Sequence, residues 1–201
     1  MILVEETQPG ADALPVAALR DWLRLGTGFE LAEDAAEMRA LEGFLRAAIA
    51  VIEGRTGKVL LRRAYRMVLD DWRDRMAQPL PLAPVERITG VVIEDGAGRE
   101  TELAADRYDL VGDAQRPLLR PRSAMLPHVP RLGRVTVRFV AGFGDDWADI
   151  PADLAQAAIM LAGRYYEDRG QDQVPGLLPS QVSAMIERWR AVRILGGRGA
   201  R

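Results

Sequence analysis

The sequence predicts an α+β fold that is mainly α-helical: a helical bundle with an inserted small antiparallel β-meander, and a C-terminal helix that extends from the body. Apolar residues recur at helical spacing over residues 34–54 and again over residues 151–169. Between these helices, residues 85–111 carry β-branched side chains beside an Asp-Gly turn at residues 95–96, which is typical of a β-hairpin. Another apolar stripe at helical spacing begins after Ser180 and predicts the last helix.

The composition is that of one folded domain without a membrane segment. The chain has 201 residues, of which 48% are hydrophobic and 28% are charged, so a sizeable core is expected. No apolar run approaches the roughly 20 residues that a membrane-spanning helix needs. The acidic N-terminus lacks the layout of a signal peptide. Cysteine is absent, which excludes disulfides, thiol nucleophiles and cysteine-ligated metals.

The charge is small overall but uneven along the chain. The formal net charge is -2 at pH 7, which predicts no general attraction to nucleic acid. Residues 1–53 hold ten acidic residues and four arginines, whereas residues 187–201 hold one acidic residue and five arginines. This polarity suits a protein that meets different partners at its two ends, although free variation of the chain ends would explain it as well.

The first part of the chain predicts an arm, two helices and a strand. Residues 1–13 are predicted to be a flexible N-terminal arm. Pro15 fits the first position of a short helix, whose apolar face ends at Gly26. The helix over residues 34–54 is rich in alanine, which favours helix and close packing. Residues 59–69 alternate loosely and predict a strand.

The β-meander is predicted over about residues 59–140. Three prolines within residues 79–84 hold the chain extended before the hairpin. The second strand of the hairpin is predicted over residues 101–111. Residues 112–134 are predicted to be irregular because prolines and glycines interrupt them. Residues 135–140 then alternate between apolar and polar side chains and predict a further strand.

The last part of the chain predicts two helices separated by a loop. Pro151 opens the first of them, and its apolar stripe is expected to pack against the helix over residues 34–54. The residues predicted to be buried between these two helices are Leu41, Leu45, Ile49, Leu154, Leu161 and Tyr165. The helical body with its β-meander is assigned to residues 14–178, and the C-terminal helix with its basic tail to residues 179–201.

The residues that could carry chemistry do not form a recognisable catalytic or metal-binding set. His128 is the only histidine, and one loop histidine without cysteines does not make a zinc site. The acid pairs at residues 70–71 and 145–146 could bind a divalent cation, but acid pairs in turns are usually solvated or capping. We therefore predict no catalytic residue, no cofactor and no metal site.

Four segments, in order, carry a pattern that belongs to a known family. Residues 47–72 (AAIAVIEGRTGKVLLRRAYRMVLDDW) give a helix, a glycine break and a strand, and residues 79–98 (PLPLAPVERITGVVIEDGAG) give a proline-rich approach to a hairpin. Residues 135–170 give a strand, Ala-Gly-Phe-Gly, Ile-Pro and a helix, and residues 178–194 give a last helix with an aromatic-arginine pair. Over roughly residues 31–193 the chain resembles the head–tail connector (adaptor, head-completion) proteins of long-tailed phages and of phage-like gene transfer agents.

This resemblance implies a homo-oligomeric ring, typically a dodecamer, in the neck of a virion or phage-like particle assembled in the bacterial cytoplasm. The ring joins the portal protein to a tail-side connector or terminator protein. Packaged DNA passes through its lumen without sequence-specific binding, and neither catalysis nor a cofactor is implied. We also expect the hairpin at residues 85–111 to be an assembly surface, because its edges have few partners within the chain.

In this family the C-terminal helix engages the portal, and tryptophan and arginine are residue types that anchor interfaces. The residues predicted to bind the portal are Val182, Met185, Ile186, Trp189, Arg190 and Arg193. The alternative is that the apolar stripe of this helix folds back to complete the core of its own subunit.

Two other functions compete with that of a structural ring subunit. A small nucleic-acid-binding or regulatory protein would use the basic segment at residues 107–138 and the C-terminal tail, although this segment lacks the interleaved aromatic residues of a single-strand platform. An enzyme would act through Asp70, Asp71, Asp145 or Asp146.

Overall fold

The computed structural model describes residues 1–25, 31–168 and 178–190, and only the backbone of residues 31–34. This part of the chain contains four α-helices and eight β-strands. The helices are α1 (Val16–Trp22), α2 (Leu31–Thr56), α3 (Ala152–Glu167) and α4 (Ser180–Ile186). The strands are β1 (Ile2–Glu5), β2 (Arg63–Leu69), β3 (Gln78–Pro79), β4 (Val85–Glu94), β5 (Glu100–Glu102), β6 (Tyr108–Val111), β7 (Leu118–Pro121) and β8 (Arg134–Ala141).

The strands form two antiparallel sheets. The large sheet has the order β1-β2-β8-β4-β5, and the small sheet has the order β3-β7-β6. Strand β8 pairs with β2 on one side and with β4 on the other, with Phe139 opposite Tyr65 and Val137 opposite Val91. The rings of Tyr65 and Phe139 stack with their centroids 5.7 Å apart. Hence β8 is the strand that holds the large sheet together.

One face of the large sheet is buried against the small sheet. Burial alternates along β2, with Tyr65 and Met67 among the residues that point inward, as the two-residue period of a strand requires. These side chains share one apolar cluster with Tyr108 of β6 and Leu119 of β7. The small sheet therefore covers the core side of the large one.

A separate core lies between the helices. Five of the six residues predicted for it are buried, namely Leu41, Leu45, Ile49, Leu154 and Leu161, while Tyr165 is half-buried. The prediction that the two long helices pack together is confirmed for these five residues. No helix within the described ranges is both long enough and apolar enough to cross a membrane.

The prediction of a mainly α-helical bundle with a small β-meander is wrong, because the described residues form two antiparallel sheets beside four helices. Strand β1 forms within residues 1–13, the predicted flexible arm. Strand β7 forms within residues 112–134, the segment predicted to be irregular. Proline is tolerated at strand ends and edges, and Pro121 lies at the end of β7. The predicted strand over residues 101–111 is divided, since β5 pairs with β4 whereas β6 pairs with β7.

The C-terminal helix does not extend from the body, which corrects the second part of the fold prediction. Helix α4 packs on α3, and its residues Val182 and Ile186 are 0% and 2% exposed within the helical core. A helix of seven residues is not stable alone, so it forms where its apolar stripe is buried against another surface.

Two chain segments run side by side where the helices meet the large sheet, and we call this contact the junction. Residues 142–144 lead from β8 towards α3, and they pair in parallel with residues 60–62, which lead from α2 into β2. The N–H of Arg62 donates to the carbonyl of Gly144 at 2.7 Å. Gly142 has a φ of +138°, and a Cβ at this position would lie 2.5 Å from the Cα of Arg62. Glycine is therefore required here for two independent reasons.

We expect Gly142→Ala to lower the free energy of unfolding by about 2–4 kcal/mol, because the positive φ and the backbone contact both oppose a side chain. The matched control is Gly43→Ala. Gly43 lies in α2 with nothing within 4 Å of an added Cβ, so this variant should gain about 0.5–1 kcal/mol from helix propensity. Urea unfolding measures both changes. A Gly142→Ala variant as stable as the original protein would contradict this account of the junction.

Candidate functional site

The residues predicted to bind the portal are divided between the core and the surface. Val182 and Ile186 lie on the buried face of α4, and Met185 of the same helix is half-buried against the helical core. Arg193 lies outside the described residues. Two of the predicted residues therefore serve the subunit's own core, as the alternative prediction for the apolar stripe required.

Trp189 is held at the N-terminal end of α3. Its Nε1 donates a hydrogen bond to Oδ2 of Asp153 at 2.7 Å. The Nε of Arg188 lies 2.7 Å from the same oxygen, and the guanidinium of Arg188 stands 4.8 Å from the centroid of the Trp189 ring. The ring of Phe143 meets that of Trp189 edge to face, with centroids 5.7 Å apart. We call these four residues the C-terminal latch.

The electrostatics of Asp153 favour its charged form. Burial raises the pKa of this carboxyl, but hydrogen bonds from Trp189, Arg188 and the backbone N–H of Leu154 outweigh burial and hold the pKa below its usual range. Asp153 also lies in the first turn of α3, where the helix dipole stabilises a negative charge. The side chain is 23% exposed, so solvent screens part of these interactions.

The latch holds the last described residues of the chain against the N-terminal end of α3. The backbone of Arg190 turns extended, with φ -65° and ψ 131°, and its side chain pairs with Glu187 at 3.1 Å. The residues that follow have the sequence AVRILGGRGAR, with three arginines and no acidic residue. A basic segment is thus attached to the body beside the N-terminal end of α3.

Three of the four acids in the two pairs are used in local structure. Asp145 pairs with Arg62 at 2.6 Å, and Asp146 caps the short 3-10 helix that follows it. Asp71 accepts a hydrogen bond from the backbone N–H of Trp72 at 2.8 Å. Within residues 1–25, 35–168 and 178–190, no three or more His, Cys, Asp or Glu side chains are grouped so that they could hold a metal ion.

The basic segment at residues 107–138 is interrupted by acidic partners. Arg122 makes a forked contact with Asp109, with Nε and Nη2 at 2.9 and 2.6 Å from Oδ1. Arg134 pairs with Glu94 at 3.2 Å. These acids neutralise part of the positive charge that a nucleic-acid-binding surface would need, so the geometry lends that hypothesis no support.

Solved structures of particle necks contain chains with this fold. One is described as the neck of an empty GTA particle computed with C6 symmetry; its chain is 50% identical, covers 98% of this chain and 100% of its own length, and has a TM-score of 0.88. A chain in the virion of a native gene transfer agent (GTA) particle is 50% identical over the same shares, with a TM-score of 0.83. A third, from the neck of a native GTA particle computed with C12 symmetry, is 45% identical over the same shares, with a TM-score of 0.81. The chain belongs to the neck proteins of gene transfer agent particles.

This family is structural. The neck protein is a component of the particle neck and is not an enzyme, so the hypothesis of catalysis through the acid pairs is wrong. No protein-family model matches the chain, and no curated protein sequence does either. The family therefore rests on the agreement of fold and sequence with solved neck chains over the whole length.

Sequence reasoning did not find the partners of Trp189 in this neck protein. Phe143 enters the sequence analysis only within the Ala-Gly-Phe-Gly segment, and Asp153 is not singled out there. Asp153 and Trp189 are 36 positions apart in the sequence, so no local pattern links the two side chains. The one usable signal is a tryptophan at the end of an apolar stripe, because a buried indole N–H usually has an acceptor.

We expect Asp153→Asn and Trp189→Phe each to lower the free energy of unfolding by about 1 kcal/mol, because Trp189→Phe removes the partly screened hydrogen bond to Asp153, and Asp153→Asn removes the charge that strengthens the bonds from Trp189 and Arg188. The double variant should lose less than the sum of the two single variants, because both changes act on the contact between Asp153 and Trp189. Arg190→Gln is the control, since it removes only an exposed pair and should change stability by less than about 0.5 kcal/mol. Urea unfolding of the original protein, the two single variants and the double variant gives a double-mutant cycle, and the control is measured in the same way. Fully additive losses would contradict a direct contact between Asp153 and Trp189.

Proposed function

We propose that this neck protein is the head–tail adaptor subunit of a phage-like particle, and that its copies form a ring between the portal and a tail-side connector or terminator protein. The observation that carries the proposal is the 45-50% identity, over the full chain, with components of GTA particle necks. The order of its segments, which resembles that of head–tail adaptors, supports the finer assignment. In this role the ring assembles in the bacterial cytoplasm, and packaged DNA passes through its lumen without sequence-specific contacts.

Twelve copies is the ring size that we propose. The necks that contain related chains were computed with C6 and with C12 symmetry, and a twelvefold ring is compatible with both. In a cyclic ring, one surface of each copy contacts a different surface of the next copy. The large sheet has two free edges, at β1 and at β5, and unpaired edges are surfaces on which other chains add. The hairpin of β4 and β5 is therefore a candidate contact with a neighbouring copy or with the tail side.

The C-terminal segment is the proposed portal-binding element. Val182 and Ile186 are buried in the subunit, so in this role they hold α4 on the helical core and do not contact the portal themselves. The surface available to the portal then consists of Met185, Arg190 and the basic tail that contains Arg193. Arginine suits such a contact because it pairs well with carboxylates at interfaces. The latch contributes by fixing where the tail begins.

Truncation after Arg190 is expected to leave a folded protein that has lost portal binding. The variant keeps α4 and the latch, so its melting temperature should match that of the full chain. Its affinity for purified portal should fall by about 100-fold or more, as expected when several anchor residues are removed together. Sedimentation or light scattering of the mixture measures the complex. Portal binding with unchanged affinity would contradict this role of the tail.

Truncation after Pro179 is the comparison that separates binding from folding. It also removes Val182 and Ile186, which are 0% and 2% exposed. Losing two buried aliphatic side chains costs roughly 3–6 kcal/mol, which is a large part of the roughly 5–15 kcal/mol that stabilises a typical domain. This shorter chain should unfold at a clearly lower temperature. A Pro179 truncation as stable as the Arg190 truncation would contradict the role of α4 in the core.

A further inference from the structure

The N-terminal arm is attached to the body mainly by polar contacts. Strand β1 pairs with β2 at the edge of the large sheet, and Glu5 pairs with Arg63 at 3.0 Å. Glu6 pairs with Arg66 at 3.2 Å. No side chain of β1 is buried, and Ile2 is 63% exposed. The arm therefore lacks the apolar burial that fixes the central strands β2 and β8.

Two cavities lie under the middle of the arm. One, between the arm and α2, has a volume of about 190 Å³, and its lining includes Gln8, Pro9 and Ile49. The other, between the arm and the junction, has a volume of about 300 Å³, and its lining includes Gln8, Pro9 and Leu61. A hydrogen bond from Arg46 to the carbonyl of Pro9, at 3.2 Å, joins this part of the arm to α2. Because close packing is what fixes one element on another, the middle of the arm is loosely fitted to its own body.

The arm is long enough to reach a neighbouring copy. Leu14, which follows the arm, is buried in the helical core, and β1 ends at Glu5. The nine residue steps between these two residues span about 30 Å when the chain is extended. The short 3-10 helix Ala11–Ala13 lies within these steps, so the chain is not fully extended here and has length to spare.

We propose that β1 of each copy pairs with β2 of the next copy in the ring of this neck protein. The inference rests on the proposed function, because the exchange requires a ring, and related chains occur in necks computed with C6 and C12 symmetry. The edge of β2 is the same in every copy, so an arm from the next copy keeps each contact of the register, such as Val4 opposite Arg66. Exchange of an identical element costs little for this reason. When every arm passes in the same direction, the contact is head-to-tail and closes into a ring.

The start of the arm suits a boundary between copies. Met1, Ile2 and Leu3 are consecutive apolar residues that are 55%, 63% and 38% exposed. Exposed apolar groups of this kind mark surfaces where another chain lies, and an edge strand is where chains add to each other. After exchange these side chains lie where two copies meet, and the ion pair of Glu5 with Arg63 joins one copy to the next.

The absence of cysteine from the chain allows a disulfide to report which copy supplies each β1. The test uses the full-length chain with Ile2→Cys and Val68→Cys, which lie opposite each other in β1 and β2. Opposite Cα atoms in antiparallel strands are about 4.5–5.5 Å apart, which suits a disulfide. Particles assembled with this chain are purified and oxidised, and the chain is then run on a denaturing gel without reductant. The control is Glu94→Cys with Glu100→Cys, which lie opposite each other in the hairpin of β4 and β5 and bond within one chain.

The arm variant should fold, because Ile2 is exposed and Val68 is half-buried. We expect it to give a ladder of linked chains from two copies up to the full ring, while the control gives a single chain. A single-chain band whose thiols are all oxidised would overturn the exchange, since each arm would then lie on its own body. A ladder that stops at two copies, or thiols that stay free, would overturn it as well. Failure of the proposed function is a separate result: the original chain would itself be absent from purified particles, and the exchange would fall with the ring.

Discussion

The junction of residues 60–62 with residues 142–144 is the constraint on which the rest of the structure depends. Both connections between the large sheet and the long helices pass through it, because β2 follows α2 and α3 follows β8. Gly142 permits the contact, and Arg63 secures it nearby: this side chain is 8% exposed, pairs with Glu53 of α2, and reaches Glu5 of β1 at 3.0 Å. Burial raises the pKa of Glu53, although Arg63 opposes the shift. Helices, central strand and edge strand are thereby joined at one place.

This junction connects the helical core to the large sheet. The latch forms directly beside it, because Phe143 belongs to the junction and its ring meets that of Trp189 edge to face. The other end of the large sheet, where β8 begins, lies at the far end of the same strands. The arginines and acids in the described part are accordingly used largely in pairs such as Arg122 with Asp109.

Sequence periodicity predicted the helical core and the regions of the long strands β2, β4 and β8, but not β1 or the second sheet. The stripes of α2 and α3 span many turns, so the spacing of residues such as Leu45 and Leu161 was enough to assign them to a core. Strand β1 has four residues, too few for alternation to be visible. Strand β7 lies among prolines, which normally count against pairing. The family resemblance supplied the neck function, because spacing and composition alone carried no chemical signal for it.

The candidate site shows a different limit. An amphipathic stripe indicates that a surface must be buried but not which surface covers it, so α4 could equally cover its own body or a partner. Trp189 was found as an anchor, yet its acceptor on Asp153 depends on how α4 returns along α3. The exposed group of Met1, Met76, Met125 and Leu132 was invisible in the sequence, because scattered methionines and one leucine become a group only when the strand register brings their loops to one end of the large sheet.

Electron microscopy of the full-length protein bound to the portal of the same particle tests the central claim most directly. The predicted result is a ring of twelve copies on the portal, with the helical layer and the segment after Arg190 against it. The end of every large sheet at which β8 begins is then directed away from the portal. A ring in the opposite orientation, or copies that bind no portal and form no ring, would contradict the claim.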